Sequence, residues 1–288
     1  MRSILSGAIE ALARASPWLL AAAVGLYALG VAATVMRWRT VLGAMGHRVR
    51  IVDALLVYLA SIFVNNVTPA MRLGGEACRV VAIGIRSRVP VAPATLSVVV
   101  DRLSEVPPVA GLVVCAIPAL ASAGARFDSR VPSILIGAIA AVGGAVVCWQ
   151  LIHGRSWWKD LRKKTSANPP DWPSVTVVLG YSGALWALDV CRLLTVAAAF
   201  GVTLTVSQGA TLAILGVLGG VAPTIGGLGA IEGGMVAGLM FFGVRADLAT
   251  AVTAAERAIS YLLATSVGGA AFLVVGGRTL WNASRSRS

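Results

Sequence analysis

"NNVTPAMRLGGEACR", residues Asn65–Arg79, sets two Asn, a Pro, paired Gly, a Glu and two Arg inside a chain that is otherwise mostly hydrocarbon. Of 288 residues, 57% are hydrophobic and only 12% charged, and the mean hydropathy is +0.83. Soluble domains carry about 25% charged residues, so this composition is that of an integral membrane protein. A helix that crosses a bilayer needs about 20 mainly apolar residues. Seven segments are candidates: Pro17–Met36, Ile51–Val67, Pro93–Ala121, Val131–Ile152, Ser174–Phe200, Val206–Val221 and Ala246–Gly276. They are unbroken Ala/Leu/Val/Gly runs without strand alternation, which predicts helices rather than a β-barrel. The expected fold is therefore an all-α membrane protein with about seven or eight transmembrane helices. It forms one polytopic domain over residues 1–288, with no room for a separate soluble domain.

The polar stretch has an echo downstream. Residues 69–102 run Pro69, then Gly74–Gly75–Glu76, then Asp101–Arg102; residues 223–257 run Pro223, then "GGLGAIE" from Gly226 to Glu232, then Glu256–Arg257. Order, residue type and spacing agree, which predicts two related halves, about 51–121 and 206–276. Pro69, Gly74 and Gly75 in one block, and Pro223, Gly226, Gly227 and Gly229 in the other, are expected to break the helix. Pro removes a backbone donor, and Gly lowers helix stability by roughly 1 kcal/mol. Backbone groups freed in lipid find no water, so such breaks survive where protein or a wet cavity satisfies them. Two re-entrant or discontinuous helices lining a central cavity follow, in an arrangement expected to be inverted, as in transporters. Close packing of Gly229/Gly233 and Gly234/Gly238 would explain those glycines without explaining Glu232.

Ionisable residues cost several kcal/mol at mid-bilayer and mark a pathway or a pair. Glu76, Asp101, Arg102, Glu105, Asp189, Arg192, Glu232, Glu256 and Arg257 all fall in or beside apolar segments. Asp101 and Glu105 sit one helical turn apart on one face, with Arg102 about 100° away. Asp189 with Arg192, and Glu76 with Arg79, are three apart and positioned to pair. Arg72, Arg79, Arg102 and Arg257 would suit a phosphate-bearing headgroup, and Glu76, Asp101, Glu232 and Glu256 would neutralise them in its absence. The acids are also suited to a cationic headgroup or a coupling proton.

Other features are quieter. The four cysteines, Cys78, Cys115, Cys148 and Cys191, are scattered without a CxxC, and His47 and His153 stand alone, so neither a metal nor a cofactor is expected. The net charge of +12 resides in flanks such as "RWRTVLGAMGHRVR" and "HGRSWWKDLRKK", which reads as anchoring to anionic lipid rather than nucleic-acid binding. Ile4–Ala15 suits a short interfacial helix ahead of a first span that lacks a signal-peptide cleavage site. There is no HExxH, GxSxG or Walker motif, so an enzyme is not the expected reading.

Taken in order, "NNVTPAMRLGGEACR", the following "DR", "PTIGGLGAIEGG" and "ERAISYL" resemble the lysylphosphatidylglycerol synthase transmembrane family, a flippase-like membrane domain that also occurs alone. The resemblance spans nearly the whole chain and implies movement of a polar-headgroup lipid between leaflets of the plasma membrane. It assigns the motif roles to Pro69, Arg72, Gly74, Gly75, Glu76, Arg79, Asp101 and Arg102, and to Pro223, Gly226, Gly227, Gly229, Glu232, Glu256 and Arg257. Because the sequence ends at Ser288, the soluble aminoacyltransferase activity of larger members is expected to be absent. Two other readings stay open: a membrane-embedded enzyme or accessory subunit of glycolipid synthesis with Glu76 or Glu232 as base, and a proton-coupled solute transporter. A lipid-modifying enzyme is a candidate partner in either lipid reading.

Overall fold

A computed structural model describes residues 2–68, 73–124, 172–221 and 224–285. The expected span Val131–Ile152 lies outside them, as do Pro69, Arg72, Pro223, Cys148 and His153. Every element among the described residues is helical. In chain order these are α1 (Arg2–Arg14), α2 (Pro17–Ala44), α3 (Ile51–Val67), α4 (Leu73–Ser87), α5 (Val91–Leu103) and α6 (Val106–Gly124). They are followed by α7 (Trp172–Ala199), α8 (Val206–Val221), α9 (Ala230–Phe241), α10 (Ala246–Arg257) and α11 (Ala264–Arg285).

Among the described residues, four stretches are long and apolar enough to cross a membrane: Pro17–Ala44, Val91–Ser122, Pro173–Ala199 and Ala246–Gly276. The second and fourth are interrupted. Ser104–Glu105 forms a turn between α5 and α6, and a π-helical stretch, Ala258–Leu263, joins α10 to α11. Large apolar side chains such as Trp18, Leu73, Val91 and Leu273 are exposed, as expected of surfaces that face lipid.

The helix starts recur at one interval. Pro17 and Trp172, Ile51 and Val206, and Val91 and Ala246 open α2 and α7, α3 and α8, and α5 and α10; each pair is 155 residues apart. Both long helices, α2 and α7, have 28 residues. They pack antiparallel: the Ser16 amide donates to the Ala199 carbonyl at 2.9 Å, Gly30 faces Leu185, and Arg37 Nη1 donates to Ser182 Oγ at 3.2 Å.

Each long helix is followed by a helical hairpin. In α3–α4 the chain reverses so that Gly75 lies directly on Ser61 and Asn65; a Cβ there would collide with both. The Asn65 carboxamide oxygen accepts from the Gly75 amide at 2.7 Å and satisfies one of the free donors at the start of α4. Farther from the tip, Arg86 Nη2 donates to Asp53 Oδ1 at 2.7 Å. In α8–α9 the equivalent contact is Gly219, where a Cβ would come within 2.9 Å of the Ile231 backbone. The two tips meet, because Gly226, held at φ +58°, packs on Asn66, and Tyr261 donates to the Asn66 carbonyl at 3.1 Å.

The closing helices cross over. α11 lies on the first hairpin, with Gly268 against the Leu59 carbonyl and Phe63 stacked near Phe272. α6 lies on the second, where Ser207 Oγ accepts from the Ala119 amide at 2.9 Å. Small residues at such crossings let backbones approach in a medium that supplies no hydrophobic drive between helices.

Candidate functional site

The first hairpin places α4 beside α5, and α2 runs past both. Six charged side chains converge there in a closed ring of ion pairs. Asp101 accepts from Arg37 at 2.7 Å and from Arg79 at 2.9 Å; Arg79 reaches Glu76 at 3.3 Å. Glu76 accepts from Arg102 at 2.5 Å, Arg102 reaches Glu105 at 3.1 Å, and Glu105 returns to Arg37 at 2.6 Å. Three guanidiniums therefore alternate with three carboxylates. Arg37, Arg79 and Asp101 are wholly buried.

Arg79 has a further support. Its Nε and Nη2 have no hydrogen-bond partner among the described residues, but the guanidinium lies 4.3 Å from the Trp38 ring centre and 5.5 Å from that of Tyr58. Ring faces are negative, so they compensate part of the missing hydrogen bonding.

The second half is built from α7, α9 and α10 with fewer charges. Arg192 bonds Asp189 at 2.6 Å and also Glu256. Arg257 bonds Glu232 at 2.7 Å and donates to the Gly226 carbonyl at 3.2 Å. Glu232 also accepts from the Gly229 amide at 2.6 Å, closing the N-terminus of α9. Two guanidiniums face three carboxylates here, and the ring does not close.

Between the halves lies a cavity of about 280 Å³. Its wall takes Arg102 and Glu105 from the first half, Asp189, Arg192, Glu256 and Arg257 from the second, and Asn65, Asn66 and Gly226 from the two hairpin tips. Of the residues predicted from sequence, Arg102, Glu256, Arg257, Gly226 and Gly227 line it. Glu76 and Glu232 do not line it but hold the lining Arg102 and Arg257, while Arg79 and Asp101 lie one pair further away, Asp101 bonding Arg37 and Arg79, and Arg79 also bonding Glu76. Gly74, Gly75 and Gly229 shape the hairpins, while Arg72, Pro69 and Pro223 lie outside the described residues.

Two sequence expectations are corrected. Arg37 belongs to "RWR", read as a lipid-anchoring flank, yet it is fully buried, because α2 continues eight residues past Met36 and stays packed on α7. Arg102 was expected to point away from Glu105. α5 instead ends at Leu103, and the Ser104–Glu105 turn brings Glu105 onto both Arg102 and Arg37. Tyr27, Tyr58 and Trp186 were not singled out in the sequence, since a lone aromatic in an apolar run carries no positional signal.

Replacing a buried ion pair by apolar residues is often neutral or stabilising, so stability alone gives little reason for eleven charges in this interior. Intramembrane charges that face a cavity mark pathways or binding sites. The fold and site together define a multi-pass, all-helical membrane protein with a charged interior cavity. The chain belongs to the family described as the lysylphosphatidylglycerol synthase TM region, whose model matches residues 5–268. It is similar to a UPF0104 membrane protein of Methanothermobacter thermautotrophicus, 27% identical across 91% of this chain and 87% of that protein. A second UPF0104 membrane protein, from Methanocaldococcus jannaschii, is 24% identical across 83% of this chain and 79% of its own length.

Proposed function

We propose that this protein is a lipid flippase of the plasma membrane. The headgroup of a polar lipid enters the cavity between the two hairpins while its acyl chains stay in the bilayer. The observation that carries this reading is the cavity wall, which joins charged residues of both halves to the tips of two hairpins that meet there.

Helix lengths support a re-entrant role for the hairpins. α3 and α8 have 17 and 16 residues, and α4 and α9 have 15 and 12. At 1.5 Å per residue these reach roughly 18–26 Å, short of the ~30 Å hydrocarbon core. Each hairpin then returns to the face it leaves. The helices that open the two halves, α2 and α7, run antiparallel, which inverts the second half relative to the first. Inverted repeats that meet through interrupted helices at mid-membrane are the usual architecture of a transport site.

The test is reconstitution in liposomes carrying a headgroup-labelled fluorescent lipid, with an impermeant quencher reporting the outer leaflet. Protein should accelerate loss of the protected signal, and Glu256→Gln or Arg257→Ala should slow it. No acceleration with any labelled lipid, together with unchanged behaviour of cells carrying those variants, would end the flippase reading.

A further inference from the structure

The cavity lies where the second half lacks side chains that fill the first. At the 155-residue interval, Trp38 corresponds to Leu193 and Tyr58 to Ala213, both of which line the cavity. Arg79, which fills the space between those two rings, is matched by the uncharged Gly234 or, with the two glutamates aligned, by Met235. The first half is thus a plugged version of the second. A ligand in the open half occupies room that Arg79 and its two rings take in the closed one.

We infer that the group received there is neutral and rich in hydroxyls, a sugar-like or glycerol-like headgroup. This deepens the flippase reading and rests on it. The charges in the wall are already matched, three guanidiniums (Arg102, Arg192, Arg257) against three carboxylates (Glu105, Asp189, Glu256). An anion would meet a wall without net positive charge and would have to break existing pairs. The groups left wanting are neutral: Trp186 and Ser260 line the cavity, and Trp186 Nε1 and Ser260 Oγ, buried beneath its surface and a side-chain rotation from it, have no hydrogen-bond partner among the described residues. Ser260 stands where the first half carries Glu105, so the second half has exchanged a charge for a hydroxyl at this place. A buried indole N–H is a donor only, and a hydroxyl both donates and accepts. Hydroxyls of a polyol satisfy both without bringing charge. Carboxylate–guanidinium pairs present fixed acceptors and donors to the remaining hydroxyls, and Tyr27 and Trp186 add aromatic surface to the lining that suits the C–H side of a sugar. The volume of about 280 Å³ is near the lower end for ligand pockets, which suits a single small headgroup.

The test measures binding, so that it stands apart from lipid movement. The full chain is placed in phosphatidylcholine nanodiscs doped equally with a glucosyl-diacylglycerol, phosphatidylglycerol and lysyl-phosphatidylglycerol, and retained lipid is counted by native mass spectrometry. Glucosyl-diacylglycerol should be retained at least about fivefold over either charged lipid. Ser260→Ala and Trp186→Phe each remove one unpaired polar group and should lower that retention about tenfold, the effect of one hydrogen bond of ~1.4 kcal/mol. Ala213→Tyr, which restores a ring of the plugged half, should abolish it in protein that elutes as a single folded species. Preferential retention of either charged lipid, or of none of the three, overturns the inference. Retention unaffected by all three variants does so as well. A protein that binds the glycolipid but moves no lipid would refute the flippase reading alone.

Discussion

Arg37 and Arg192 stand 155 residues apart, at the same turn of two antiparallel 28-residue helices, and each pairs with the acid of an acid–Arg doublet, Asp101 or Glu256. Both are buried in a chain whose other face is lipid. Around Arg37 the ion pairs close into a ring; around Arg192 they stop at a cavity. The same framework therefore serves as a sealed strut in one half and as an open wall in the other.

Removing Arg37 should be severe. Its guanidinium holds Asp101 with one nitrogen and Glu105 with another, so Arg37→Met opens the buried ring and leaves Asp101 to Arg79 and Glu105 to Arg102. Breaking a buried pair costs about 3–5 kcal/mol. Arg37→Lys should not rescue it, because an ammonium lacks the planar fork that reaches both acids. Denaturant unfolding in detergent, with Arg39→Ala as the comparison, checks this; a loss no larger than that of Arg39→Ala would contradict it.

Gly75→Ala should pry open the first hairpin. The added methyl meets the Ser61 carbonyl and the Asn65 side chain, and backbone does not yield as a flexible side chain does. Overpacking of this kind typically costs about 1–3 kcal/mol. Gly233→Ala, with open space around its Cβ, should be neutral or slightly stabilising. The pair of thermal midpoints in one detergent decides it.

At the meeting of the two tips, Gly226→Ala combines two faults. The residue has φ +58°, costly for an L side chain, and its Cβ would strike Tyr261 and approach the Asn66 carbonyl at 3.0 Å. Lipid movement should fall more than stability in this variant, since the tips form part of the cavity wall. Equal losses in both measurements would assign Gly226 a purely structural place.

The antiparallel seating of α2 on α7 is open to a direct check. In a background without native cysteines, Gly30→Cys with Leu185→Cys should cross-link with a short bifunctional maleimide, because a Cβ at position 30 lies 3.5 Å from Leu185 Cδ1. Gly30→Cys with Ala199→Cys should not, since Ala199 faces Ser16, about four helical turns or ~21 Å along α2 from Gly30, beyond the reach of a short reagent. Efficient cross-linking of the second pair alone would overturn the packing.

Glu232→Gln tests the second hairpin. Glu232 holds Arg257 with one oxygen and the Gly229 amide with the other. The amide can keep one of these contacts, so stability should drop by roughly 1–2 kcal/mol, while the freed Arg257 alters the cavity wall. Lipid movement measured beside unfolding separates the two effects.

Composition and local spacing determined a good deal of this protein by themselves. Hydrocarbon runs with sparse charge leave only a helical membrane fold, because lipid offers no partner to an open backbone. Asp189–Arg192 and Glu76–Arg79 were legible as pairs, since three residues along a helix return to the same face. The glycines of both blocks pointed to interrupted helices, because their cost is local to the chain. Tertiary structure alone decided what the breaks enclose. Nothing near Arg37 in the sequence shows that Asp101, Glu105 and Ser182 will surround it, and nothing near Asn66 announces Gly226. Those contacts join distant parts of the chain, and they depend on how helices seat on one another rather than on the period of any one helix. The cavity is the clearest case: Leu193 and Ala213 line it at the positions where the first half carries Trp38 and Tyr58, and that these smaller side chains face an enclosed space is decided by how the two halves seat against each other.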